Sequence, residues 1–136
     1  MNTEVLADLG KLLLRAVLGA LILLHGIAKL QTGVAGISSN LAHAGFPGAV
    51  AYLVYAGEIV APILLIMGLW TRPAALVVVI NMVVAILLSH PGQILSLGRS
   101  GGWAIELQAM YLSAALAVAL LGAGRFRVGG RQGRWN

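Results

Sequence analysis

The chain has no cysteine. That excludes disulfides, thiol redox chemistry, cysteine-ligated zinc and cysteine-ligated iron–sulfur clusters. Charge is scarce as well: 10% of the 136 residues are charged, four of them acidic. Aromatic residues make up only 6%. Soluble domains carry about a quarter charged and about half apolar residues, whereas here 60% are apolar and the mean hydropathy is +0.94. A water-soluble protein of this length has too much surface for its volume to hide that apolar area. Lipid is the expected solvent. The chain also lacks a Gly-rich dinucleotide fingerprint, a haem-attachment motif and any His-rich spacing. It therefore supplies no electron carrier of its own, and neither a metal nor a covalent cofactor is expected.

What is present are four apolar segments, running roughly from Lys11 to Leu30, Gly48 to Trp70, Pro73 to Ser89 and Trp103 to Gly122. Each approaches the ~20 residues that cross ~30 Å of hydrocarbon, and the third is the shortest. Glu4 and Asp8 precede the first run, and the nearest small-x-small site, Ala42-His43-Ala44, lies well past it. The run is read as a retained helix rather than a cleaved leader. Gly45-Phe46-Pro47-Gly48 forms a turn into the second segment, and Thr71-Arg72-Pro73 a tight hairpin into the third. Residues 34–44 permit a short helix that their glycines weaken. The expected fold is all-α: one domain over residues 1–136, an integral membrane four-helix bundle with a basic tail at 123–136.

Charge sets the orientation. Lys11, Arg15, Arg72, Arg125, Arg127, Arg131 and Arg134 fall on one side, against Lys29 and Arg99 on the other. Seven against two places both termini in the cytoplasm, with Arg15 snorkelling toward that side. The net charge of +5 comes largely from the juxtamembrane tail, which suits anionic lipid rather than nucleic acid. Trp70 and Trp103 stand at the expected interfaces.

Ionisable residues within spans cost roughly 2.5–3.5 kcal/mol on insertion scales, so each calls for a partner or a function. At about 1.5 Å per residue, His25, Lys29, Glu58, His90 and Glu106 all fall between the outer interface and the midplane. If the faces converge, bases and carboxylates neutralise one another. His25 and Lys29 share one face of the first helix, facing either the bundle or the headgroups. Glu58 has no interface within reach and faces the interior, paired or protonated. Glu106 either joins the cluster or caps the fourth helix, and His90 in His-Pro-Gly is either a site residue or part of a loop. Asn81 is expected to hydrogen-bond another helix. Tyr52, Tyr55 and Tyr111 either donate to the cavity or pack. Gly19, Gly26, Gly57 and Gly68 fit close helix packing, with Gly57 leaving room beside Glu58. Apolar walls with a few convergent polar groups suit a quinone or a related small aromatic molecule.

The order of these residues resembles the DoxX family of small bacterial four-helix membrane proteins. The resemblance rests on Arg15, His25-Gly26-Ile27-Ala28-Lys29-Leu30, Gly45-Phe46-Pro47, Glu58, Gly68-Leu69-Trp70-Thr71-Arg72-Pro73-Ala74-Ala75-Leu76, Glu106 and Gly122-Ala123-Gly124-Arg125. It spans about residues 9–127, and the tail departs at Phe126-Arg127-Val128. The resemblance implies a multi-pass protein of the bacterial inner membrane with a loosely assigned oxidoreductase role, sometimes as a subunit of a quinone-linked system. His25, Lys29 and Glu58 match the shared pattern, and Glu106 less closely.

The resulting expectation is a membrane subunit of a redox system. Glu58 and His25 would handle protons, while Lys29, His90, Glu106 and Tyr55 would bind the ligand. The bilayer, a quinone or similar aromatic, a soluble redox protein and further copies of the chain are its expected partners. Two alternatives stand beside it: a proton-coupled small-molecule transporter built on Glu58, and a non-catalytic scaffold for a soluble redox enzyme.

Overall fold

A computed structural model of the protein describes residues 2–128 and residue 135. Among these the fold is all-helical, with an isolated bridge between Leu97 and Trp103 as the sole extended pairing. Helix α1 (Thr3–Thr32) is followed by the short α2 (Ala35–His43). A composite segment, Gly48–Met67, comes next: a 3-10 stretch (Gly48–Leu53), a π turn (Ala56–Val60) and α3 (Ala61–Met67). Helices α4 (Thr71–Ser89) and α5 (Glu106–Leu121) complete the fold.

Three segments are long and apolar enough to cross a membrane: Thr3–Thr32, Gly48–Met67 and Thr71–Ser89. Helix α5 is apolar but shorter, with 16 residues. It starts three residues later than expected because Trp103 belongs to the preceding loop. The indole Nε1–H donates to the Ile94 carbonyl (2.7 Å), and Trp103 bridges Leu97. Helix α1 starts eight residues earlier than the apolar run at Lys11, since residues 3–10 are helical without being lipid-like. Its 30 residues reach about 45 Å at 1.5 Å per residue, more than a hydrocarbon core is thick. Glu4 in the first turn and Lys29 in the last suit the helix dipole.

The composite segment is irregular for a local reason. Pro62 has no N–H, so the Glu58 carbonyl loses the donor four residues on. Just upstream the register loosens to π geometry, in which Ala61 N–H bonds the Ala56 carbonyl. The segment ends at Gly68, whose φ of 73° lets its N–H reach Leu65 O (3.2 Å) while Leu69 N–H reaches Leu64 O (2.9 Å). That paired closure satisfies the last carbonyls and needs a residue at ease in the left-handed region. Helix α4 therefore begins at Thr71, with Pro73 in its first turn.

Leu18 and Ile22 of α1, Leu65 of α3, Ala75 and Val78 of α4, and Ala115 and Val118 of α5 form the main core. A smaller cluster of Val34, Leu41 and Ala51 seats α2. Large apolar side chains also cover the outside, among them Leu13, Leu24, Leu53, Ile80, Leu87 and Leu120. Exposed apolar surface on every long helix is what lipid contact requires and water penalises. In such a solvent helices associate through close van der Waals packing, which small residues permit. Gly19 and Gly26, two turns apart on α1, do this against the composite segment. A Cβ on Gly19 would lie 2.8 Å from the Pro62 carbonyl oxygen, and one on Gly26 would lie 2.8 Å from the Glu58 carbonyl carbon.

Candidate functional site

The close approach at Gly26 positions the polar cluster. It brings the last turns of α1 against the π turn, and Lys29, three residues beyond Gly26, pairs its ammonium with Glu58 Oε2. The other carboxylate oxygen, Oε1, accepts from Asn81 Nδ2 of α4 at 3.3 Å. Glu58 is 5% exposed, and its two oxygens are thus held by two different helices. Tyr55 ties the same junction, donating its hydroxyl to the Lys29 carbonyl at 3.1 Å. Gly57 is what lets Asn81 approach. A Cβ there would lie 2.6 Å from the Asn81 amide carbon, so the room left beside Glu58 is taken by α4.

Two cavities flank Glu58. The smaller, about 180 Å³, lies among α1, α4 and α5 and is lined by His25, Lys29, Glu58, His90, Gln108 and Tyr111 together with apolar side chains. The larger, about 330 Å³, lies among α2, the composite segment and α4. Its walls are mainly apolar, with Ile37, Leu41, Val54, Val77, Val84 and Leu88 among them, and Glu58 and Asn81 supply polar groups.

Each expected residue has a definite place. His25 is exposed, with its ring Nδ1 2.9 Å from the Leu21 carbonyl and its ring edge-on to Tyr111, centroids 5.9 Å apart. His90 follows α4 and joins two elements. Gln108 Nε2–H of α5 donates to His90 Nε2 at 2.9 Å, and His90 Nδ1–H donates to Gln93 Oε1 at 2.9 Å. Glu106 stands apart: it is exposed at the start of α5 and lines neither cavity. Tyr55 lines neither cavity but braces the Lys29 backbone. The structure thus assembles one carboxylate with its bases rather than two. Among the described residues no group of three or more His, Asp or Glu side chains could hold a metal ion.

Arg15 corrects the sequence reading. It does not snorkel; at 1% exposure it is among the largest fully buried side chains. Its guanidinium donates to the carbonyls of Leu65 and Ile66 (2.6 Å each), Ala123 (3.2 Å) and Phe126. Leu65 and Ile66 lie at the C-terminal end of α3 and Ala123 just past that of α5, where helices present free carbonyl lone pairs and the dipole favours a cation; Phe126 belongs to the segment that follows α5. A five-donor planar fork can serve several such carbonyls at once, which explains why the position holds arginine rather than lysine. Arg131 and Arg134 of the basic tail lie outside the described residues.

Over 80 residues the chain is 31% identical to a Bacillus subtilis (strain 168) protein named "Putative oxidoreductase CatD". The match covers 59% of this chain and 59% of that relative, so the chain spans less than two thirds of the relative's length. No solved structure matches. The DoxX family model matches residues 10–91, which include Arg15, His25, Lys29, Glu58, Asn81 and His90, and on that match the chain belongs to the DoxX family.

Proposed function

We propose that this protein is a four-helix subunit of a redox system in the bacterial inner membrane, with both termini in the cytoplasm, and that it binds a quinone or related small aromatic molecule at Glu58. One observation carries this reading: a buried carboxylate, held by Lys29 and Asn81, lies against a mainly apolar cavity of about 330 Å³. Ligand pockets run from about 300 to 1,000 Å³, with mostly apolar walls and a few fixed polar groups. The residues fit a flat ring with polar oxygens. The relative named as an oxidoreductase supports a redox context.

A quinone, when bound, supplies the two-electron chemistry that no residue of this chain can. The chain's own contribution is to seat the ring, exclude water and hold a proton-exchanging carboxylate beside it. Lys29 keeps the Glu58 carboxylate tolerable in an apolar setting, and Asn81 fixes its rotation. A soluble partner would deliver or remove electrons. The Lys29 cation beside Glu58 disfavours a cation exporter, because it already neutralises the carboxylate such a substrate would need.

Mass spectrometry of organic extracts from gently purified protein tests the reading. Wild type should carry quinone above the level in control membrane proteins, and Glu58→Gln and Lys29→Ala should carry less. Quinone at the control level in wild type would refute it.

A further inference from the structure

The two cavities differ in kind and meet at one side chain. Glu58, Ala85 and Ser89 line both, but Lys29 lines the small one alone and Asn81 the large one alone. The carboxylate is divided accordingly: Oε2 is held by Lys29 and Oε1 by Asn81. Glu58 therefore stands in the wall between a polar chamber and an apolar one, with an oxygen bound to each side.

Size assigns the contents. At about 180 Å³ the polar cavity falls below the usual range for organic ligands. It has room for about six waters at about 30 Å³ each, and it offers several polar partners to hold them. The apolar cavity, at about 330 Å³, reaches the ligand range. It is walled partly by Leu53 and Ile80, which are 69% and 63% exposed. On a lipid-facing surface that makes a side entrance from the bilayer.

Resting on the quinone reading above, we propose that the two cavities divide the work. The apolar cavity seats the ring, entered laterally from lipid, and the polar cavity is a hydrated proton route that ends at Glu58. The route begins at His90, where α4 gives way to the long loop. Its Nδ1–H donates to Gln93 Oε1 and its Nε2 accepts from Gln108, so the ring can take a proton at Nε2 once the Gln108 amide turns. From there the cavity water leads past Gln108 and Tyr111 to Glu58. The titratable and charged groups facing Glu58 are Lys29 and His25 from α1, His90 from the end of α4 and Tyr111 from α5. From the composite segment, Tyr55 is engaged with the Lys29 carbonyl. Only protons move in this step, from outside water to a Glu58 carboxylate oxygen and back.

Two plugs separate the cavities. Val84 lines only the large cavity and Leu107 only the small one, and both are partly exposed on the surface. Tryptophan at either position therefore need not enter the core. Decylubiquinone retained on purified protein is measured by mass spectrometry, and Glu58 protonation after a pH jump is followed by infrared spectroscopy. The Glu58 band is identified by its absence from Glu58→Gln.

Val84→Trp should cut retained decylubiquinone by about tenfold, equivalent to about 1.4 kcal/mol, with the protonation rate held within about twofold. Leu107→Trp should slow protonation by about tenfold or more and leave retention within about twofold. The reverse pattern, equal effects from both plugs, or no effect from either would overturn the division. Wild type that retains no decylubiquinone would instead sink the quinone reading and the ring seat together, a result distinct from misplaced plugs.

Discussion

Replacing Gly26 with alanine sets two effects of known sign against each other. Gly26 lies inside α1, where alanine is intrinsically better by about 0.8–1.0 kcal/mol. Yet the added Cβ would meet the Glu58 backbone oxygen, with Ile59 Cγ1 at 2.7 Å and the Glu58 carbonyl carbon at 2.8 Å. Ordinary contacts of this kind lie near 3.5–4.0 Å. Two of these three atoms are backbone and cannot rotate away, so α1 must move off by about 1 Å or the π turn must distort. Overpacking of this sort costs about 1–3 kcal/mol, which over most of that range outweighs the propensity gain.

The net expectation is a destabilisation of up to about 2 kcal/mol. Gly10→Ala is the internal control. It sits in the same helix with nothing within 4 Å of its Cβ and should gain up to about 1 kcal/mol. Thermal unfolding in detergent, followed by circular dichroism, reads both. Because Lys29 lies one turn beyond Gly26, the Lys29–Glu58 pair should separate, and retained quinone should fall with stability. Gly26→Ala as stable as Gly10→Ala would refute the close approach on which the site is built.

Other perturbations have equally definite expectations. Lys29→Met should cost about 2–3 kcal/mol, since it leaves a buried carboxylate without its cation. Adding Glu58→Gln should restore part of that, and a double-mutant cycle should report a coupling of about 1–2 kcal/mol, with additivity as the contrary result. Arg15→Met should leave the Ile66, Ala123 and Phe126 carbonyls without the guanidinium donor, while Leu65 keeps the Gly68 N–H. It should cost about 3 kcal/mol and release the tail, so that trypsin cuts after Arg125 and Arg127 faster than in wild type; unchanged protection would refute the clamp. On the proposed orientation, which rests on charge bias, a fluorescent protein fused after Asn136 should glow and an alkaline phosphatase fused there should be inactive. An active phosphatase would invert the topology.

The sequence conveyed the long apolar segments and the central place of Glu58, because both follow from the cost of polar groups in lipid. Depth placed Lys29 and Glu58 in the same half of the bundle, but whether Glu58 was paired or protonated, and by which base, was not legible; the close approach at Gly26 selects Lys29. The partner at Glu58 Oε1 was legible only as a kind of contact: Asn81 had to bond some helix, and three-dimensional packing chose the π turn. The irregular backbone of Gly48–Met67 was masked, since Pro62 and Gly57 are ordinary members of membrane helices. Arg15 was misread for a related reason. Depth near an interface suggested snorkelling, but its partners are helix-end carbonyls more than 45 positions away in the chain. Glu106 shared a depth with the cluster but not a direction, and depth is all that counting residues supplies.

The most direct measurement is photolabelling with an azidoquinone, with adducts mapped by tandem mass spectrometry in wild type and in Glu58→Gln. The account predicts adducts on the Glu58-facing wall, in the peptides carrying Val54 and Val84, that compete with unlabelled quinone and fall in Glu58→Gln. Labelling spread over the outer lipid-facing residues, equal in both proteins and indifferent to competitor, would contradict it.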